Sequence, residues 1–258
     1  MCKIKKEKIL KKNIFLFSFL LLLLYCSNAI CAAITGRANW VKSGNNAHIS
    51  FSDVSKQART GATVSCSRKY AFEGPIFERK SEYSAVYISG LDLLGHEIGA
   101  PILPCKPVKL LIPYMQKIAG INIILGPKQE ISGTYNIEHV QRSVPLSQIG
   151  KAEPTPPNPE IYSSNDVYPS IPAADVSIQG KSGYGILLIN LFPVEYYPLS
   201  GKIAYYKEMT IQVETVSLET AQSETAFKPD PNVIDEIRSM VDNPETLDTY
   251  KNIRKVKP

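Results

Sequence analysis

Apolar residues come in short runs along this chain, and each run carries its own structural signature. Residues 14–24 are apolar except for Ser18, with lysines before them and small residues after. Beyond that point the runs are cut by proline and glycine and fall at 86–88, 108–112, 121–125, 186–192 and 203–216. Their length and their bounding turn residues predict strands. The last run is the clearest, because Met209, Ile211 and Val213 alternate with Thr210, Gln212 and Glu214. Such alternation sets one face on a core and the other in water. Just before it, Tyr197-Pro198-Leu199-Ser200-Gly201-Lys202 supplies a turn. Runs 186–192 and 203–216 should therefore pair as antiparallel neighbours across that turn. The fold class that follows is mainly β, an antiparallel β-sandwich or curled sheet with a short C-terminal amphipathic helix.

Two later segments depart from the strand pattern. Pro145, Pro154, Pro156, Pro157, Pro159, Pro169 and Pro172 crowd one stretch. Proline removes backbone donors, so this stretch cannot be a central strand or an ordinary helix. It reads as an extended, exposed segment, or as a loop held on the sheet by Tyr162 and Tyr168. Residues 217–228 are polar and linker-like. Asp230-Pro231 then looks like an N-cap with proline at the first helical position. Val233, Ile234, Ile237, Met240 and Val241 recur at helical spacing until Asn243-Pro244. This short helix is expected outside the β domain, its apolar stripe covered by the sheet or by another domain.

Charge and cysteine usage change the picture at the N-terminus. Lys3, Lys5, Lys6, Lys8, Lys11 and Lys12, with Glu7 among them, precede the run at 14–24. Ser27, Ala29, Cys31, Ala32 and Ala33 follow it. Basic, then apolar, then small is the order of a cleavable secretory signal, here residues 1–33. The run falls well short of the ~20 residues a spanning helix needs, so no stable membrane span is expected. The chain is formally +5, and six lysines against one glutamate in the leader account for that whole charge. The mature part is near neutral, which removes the electrostatic case for nucleic acid. Export, to the medium, the periplasm or the cell surface, puts Cys66 and Cys105 in an oxidising compartment. They either pair as a disulfide or stand as two buried thiols. His48, His96 and His139 are isolated from one another and no Cys-x-x-Cys occurs, so neither a metal nor another cofactor is implied.

Catalytic motifs are missing from the sequence. Gly180-Lys181-Ser182-Gly183-Tyr184-Gly185 looks superficially like a phosphate loop, but its glycine spacing is wrong and a strand follows. It reads as a hairpin turn. No Gly-x-Ser-x-Gly elbow is present. His96-Glu97 lacks a nucleophile beside it, and Cys66 needs a histidine brought to it in space. The chain is read as not an enzyme.

Four stretches in order resemble the N-terminal prodomain of gingipain-type cysteine peptidases, whose catalytic domain is caspase-like. The first is Gly99-Ala100-Pro101-Ile102-Leu103-Pro104 leading into Val108-Lys109-Leu110-Leu111-Ile112-Pro113. The second is Tyr162 with Asp166-Val167-Tyr168-Pro169. The third runs from Gly183 to Leu191 and on through Phe192-Pro193-Val194-Glu195-Tyr196-Tyr197-Pro198. The fourth is Val241-Asp242-Asn243-Pro244-Glu245, similar to the segment between prodomain and peptidase. The resemblance divides the chain into a signal (1–33), a β-rich propeptide-like domain (34–216), and a linker with a short helix (217–258) leading toward a peptidase domain that the sequence does not contain. It implies an intramolecular chaperone and latency inhibitor whose partner is a caspase-like cysteine peptidase domain, in cis or in trans. Those peptidases favour Arg or Lys at the cleavage position, so the blocking side chain is expected to be basic. Arg142, then Lys151, flank the proline-rich stretch and are the residues for that role. The competing reading is a free-standing secreted β-sandwich used for adhesion or surface binding.

Overall fold

The computed structural model describes residues 40–51, 61–148, 150, 152–218 and 229–255. The signal segment, residues 1–33, and Lys151 lie outside these described residues. One sheet has five strands in the order β1 (Trp40–Ser43), β2 (Asn46–Ser50), β8 (Gln116–Leu125), β14 (Glu208–Ser217) and β3 (Thr63–Ala71). A second has four, β10 (Ala173–Lys181), β11 (Tyr184–Leu191), β7 (Leu103–Leu111) and β6 (Asp92–Leu94). A smaller sheet joins β12 (Val194–Tyr197), β13 (Lys202–Tyr206) and β9 (Lys128–Ile131), and β4 (Ile76–Lys80) pairs with β5 (Tyr83–Tyr87). The paired strands are antiparallel, so the mainly β expectation holds.

The two large sheets face each other. Ile121, Ile123, Ile211 and Val213 of the first meet Val108, Leu110, Leu187 and Ile189 of the second. The other face of β7 and β11 is buried as well. At one end Leu103 and Cys105 join Phe192, Tyr196 and Ile203. At the other, Leu111, Tyr184 and Ile186 join Ile237, Val241 and Leu247. Burial on both faces explains why 108–112 and 186–192 are apolar at consecutive positions, broken only by Lys109 and Asn190, whereas β14, with one face outward, alternates.

One pairing expectation is corrected. Runs 186–192 and 203–216 are not neighbours, because β11 lies between β10 and β7. The turn at 198–201 closes a smaller hairpin, with Val194 opposite Tyr205 and Tyr197 opposite Lys202. Run 203–216 is two strands in two sheets, separated at Lys207. There the backbone leaves the ladder, since Lys207 N donates to Pro127 O at 3.1 Å and Phe72 N donates to Lys207 O at 2.8 Å. Ile203–Tyr206 are buried on both faces, whereas β14 beyond Lys207 buries alternate residues, so the two halves of the run belong to different environments. The Gly180–Gly185 segment is the expected hairpin turn. Ser182 (φ +49°) and Gly183 (φ +83°) both take positive φ, and Lys181 faces Tyr184 across it.

The C-terminal helix forms where the caps place it. Asp230 accepts from Asn232 N at 2.9 Å, Pro231 opens a 3-10 turn over Pro231–Val233, and α2 spans Ile234–Met240. It is not outside the β domain: Ile237, Val241 and Leu247 cover Leu111, Tyr184 and Ile186. The strap that follows continues the edge of β7. Asp242 N donates to Lys109 O at 2.8 Å and Lys109 N donates to Asp242 Oδ2 at 3.1 Å. Asn243, fully buried, accepts from Leu111 N at 2.7 Å and donates to Leu111 O at 2.9 Å. Beyond the short β6, the strap serves β7 as a surrogate strand.

A buried carboxylate ties the N-terminal strand to the small sheet. Glu195, 5% exposed, meets Lys42 at 3.2 Å and Lys128 at 2.6 Å, and accepts from Tyr206 Oη at 2.7 Å. Burial pushes its carboxyl up. Hydrogen bonds from Lys128 and Tyr206, with the charges of Lys42 and Lys128, outweigh that and hold it below its ordinary value of 4.5. A lowered carboxylate stabilises the fold above that ordinary value, and the contribution is lost as pH falls through the lower folded value. Glu195→Gln should therefore cost roughly 1–2 kcal/mol at pH 7, allowing for the partly exposed lysines, and almost nothing near pH 3. Urea unfolding at the two pH values checks this; an equal cost at both would remove the ion network from the account.

Candidate functional site

The proline-rich stretch leaves the body from a well-anchored base. Its outgoing leg is hydrogen-bonded to the 99–102 segment: Ile102 N donates to Glu138 O at 2.8 Å, Val140 N to Ala100 O at 2.9 Å, and Gly99 N to Val140 O at 2.8 Å. The returning leg closes on the same segment, where Asn158 N donates to Gly99 O at 2.9 Å. Gly99 has φ +82°, and a Cβ there would lie 2.9 Å from Asn158 N and 3.1 Å from Pro156 O. Only glycine accommodates both the backbone and the returning leg. The first resemblance motif thus serves to seat the proline-rich loop.

Four residues pinch the loop shut. Thr155 uses every polar group it has on residues 139–142. Its N–H donates to Gln141 Oε1 at 2.9 Å, and its Oγ1 accepts from Arg142 N at 3.0 Å. Its carbonyl lies 2.7 Å from His139 Nε2, which Gln141 Nε2 also approaches at 2.9 Å. His139 is 3% exposed, and its Nδ1 has no hydrogen-bond partner among the described residues. The ring is wedged edge-on against Tyr83 at 4.9 Å and Tyr162 at 6.2 Å between centroids. Tyr162 Oη donates to Ile137 O at 2.6 Å, and Tyr168 exchanges backbone hydrogen bonds with Tyr196 at 2.7 and 2.8 Å. Both tyrosines therefore fasten the stretch to the sheet as expected. The sequence reading missed α1 (Pro159–Tyr162), although Asn158-Pro159 is a cap-and-first-turn pair and Asn158 Oδ1 accepts from Glu160 N.

Arg142 stands at the neck, with its side chain exposed. Among the described residues its guanidinium makes no ion pair and no hydrogen bond. Farther out, Leu146 is 87% exposed on a 3-10 turn, Leu146–Gln148. Beside this anchored base, Arg142 and Leu146 thus expose a cation without a partner among the described residues and an apolar side chain.

Cys66 and Cys105 are free thiols buried in different clusters, so the pairing left open by the sequence is not made. Cys66 lies in the core between the two large sheets; Cys105 sits on the opposite face of β7. Burial, chiefly, pushes the Cys66 thiol up against the opposing charge of Arg68. Burial, with Asp92 and Asp175, takes Cys105 up to about 11. The polar contact of Cys66 is Asn243 Nδ2 at 3.7 Å, not an imidazole, and an undissociated thiol is a poor nucleophile. Both should resist a thiol reagent at pH 8 in the native chain and react once it is unfolded in urea. Rapid native labelling of either would contradict this burial. Among the described residues no three His, Cys, Asp or Glu side chains gather to hold a metal ion. His48 is hydrogen-bonded to Asn122, and His96 rests 3.8 Å from Asp175 Oδ2 and against the Phe192 ring. Among the described residues no helix is long and apolar enough to cross a membrane.

No protein-family model matches the chain, and no curated protein matches it in sequence. Solved structures do. A chain in the complex of Porphyromonas gingivalis RgpB pro- and mature domains superposes with a TM-score of 0.53 at 13% identity, covering 82% of this chain and 98% of that one. A structure concerning the zymogenic latency of gingipain K from Porphyromonas gingivalis gives 0.45 at 17% identity, over 71% of this chain and 96% of that one; a likeness of that strength carries no weight here. The resemblance to gingipain-type prodomains read from four sequence motifs is thus matched by a resemblance in fold.

Proposed function

We propose that this chain is a propeptide-type domain that keeps a secreted, caspase-like cysteine peptidase folded and latent. The observation that carries the reading is the pinched loop, with Arg142 free of any described partner on a base fixed by Thr155 and Gly99. A prosegment silences a peptidase by laying an extended stretch across the cleft with one side chain anchored in a pocket. The fold likeness to a chain from a complex of pro- and mature gingipain domains supports the same role. In this account the chain does no chemistry of its own. The leader exports it, and the sheet docks on the peptidase while it folds.

Two measurements test the reading. The chain should prevent an arginyl, active-site-directed reagent from labelling the cysteine of an arginine-cleaving, caspase-like peptidase. Its co-expression should also raise the yield of folded peptidase. Undiminished labelling at saturating chain would remove the latency role, and an unchanged yield would remove the chaperone role. The mass of the exported protein, expected to lack residues 1–33, tests export.

A further inference from the structure

A loop that places an arginine in the cleft of an arginine-cleaving peptidase invites cleavage at Arg142–Ser143. We propose that the neck makes this loop a clamp that outlasts its own cleavage. The inference rests on the reading above and goes beyond it, from occupying the cleft to the fate of the bond.

Consider the step itself. The peptidase's cysteine sulfur attacks the Arg142 carbonyl carbon, and the Arg142–Ser143 C–N bond breaks. The arginyl group becomes a thioester, and Ser143 leaves as an amine carrying the proton that the thiol gave up. From a flexible substrate that amine diffuses away, and water then hydrolyses the thioester. Here neither new end is released. The Arg142 side keeps its N–H on Thr155 Oγ1 at 3.0 Å. The Ser143 side is joined covalently to Thr155, thirteen positions from Arg142, whose N–H is held by Gln141 Oε1 and whose carbonyl is held by His139 Nε2. His139 is itself buried between Tyr83 and Tyr162, so the anchor does not move with the loop. A tether of that length keeps the amine at an effective concentration on the order of millimolar. Its attack on the thioester re-forms the peptide bond, frees the thiol and returns the proton. Thr155 is therefore a positioning residue: it touches no reacting atom, and it decides whether the loop behaves as an inhibitor or as a substrate.

The test uses the full chain with an arginine-cleaving, caspase-like cysteine peptidase. One reaction starts from intact chain. The other starts from chain nicked at Arg142–Ser143 by limited trypsin treatment and repurified without denaturant. Mass spectrometry should find both converging on one ratio of intact to nicked chain, with the nicked chain inhibiting within about threefold of the intact. Thr155→Val, which keeps the shape and deletes the Oγ1 acceptor, should inhibit while intact. After nicking it should lose inhibition about tenfold further than the natural chain and fail to regain the bond. A nicked natural chain that loses inhibition as completely as the variant overturns the clamp, although the intact chain still inhibits. If the intact chain does not inhibit at all, the underlying reading fails instead. The clamp is then decided on the chain alone, by amide exchange at Arg142 and Thr155. Protection kept after nicking in the natural chain and lost in Thr155→Val supports it, and protection lost in both overturns it. Gln141→Ala replaces Thr155→Val should that variant not fold.

Discussion

Asn243→Ala should destabilise the domain by roughly 3–4 kcal/mol, more than any other single polar truncation in the β unit. The Asn243 side chain, fully buried, accepts from Leu111 N and donates to Leu111 O and Thr246 Oγ1 at 2.7, 2.9 and 2.9 Å. Alanine would leave both backbone groups of Leu111 dry and unpaired, and each such group costs about 1–3 kcal/mol. Alanine also leaves a small void beside Cys66, whose sulfur lies 3.7 Å from Asn243 Nδ2. The loss should spread along the strap. Asp242 no longer holds its position on Lys109, and the Tyr70 Oη and Arg68 contacts to Asp242 and Glu245 loosen with it. Asn243→Asp should be at least as costly, because its second oxygen would face the Leu111 carbonyl. Urea and thermal unfolding check this, with an expected fall in Tm on the order of 10 °C. A loss below about 0.5 kcal/mol would mean that the strap does not act as a strand of the second sheet.

Such a residue shows where sequence stops informing structure. Asn243-Pro244 is legible as the end of a helical pattern. That its amide mimics a strand neighbour depends on Leu111, more than a hundred positions away, pairing with β11 on one edge and having no strand on the other. Local signals fared better. Asp230-Pro231 starts the helix, Ser182-Gly183 turns the hairpin, and Tyr162 and Tyr168 pin the prolines. Pairing was misread at Lys207 because which sheet a strand joins is set by partners far away in sequence, Gln129 and Lys128 for β13 but Leu125 and Tyr70 for β14. The helix was placed outside the domain because its stripe shows that a face is buried and not what buries it. The site followed the same division. Arg142 is visible as a basic residue beside prolines, whereas Thr155 has no signature: a threonine between prolines is ordinary until folding sets it against His139, Gln141 and Arg142.

The second large effect concerns function. Arg142→Ala should weaken inhibition of an arginine-cleaving, caspase-like peptidase about a hundredfold, since removing one partner of a desolvated, hydrogen-bonded charge pair costs about 2–5 kcal/mol. Folding should be untouched. The guanidinium has no described partner to lose, and the neck engages Arg142 only through its backbone N–H, which alanine keeps. Arg142→Lys should recover part of the affinity, because a lysine keeps the charge without the planar fork. Lys151→Ala is the paired comparison, as the second basic residue of the stretch.

The most direct test is therefore the inhibition constant of the full chain, of Arg142→Ala and of Lys151→Ala, measured against hydrolysis of an arginyl peptide. The account predicts tight inhibition by the chain, a loss of about a hundredfold in Arg142→Ala, and little change in Lys151→Ala. Equal inhibition by the chain and by Arg142→Ala would contradict it.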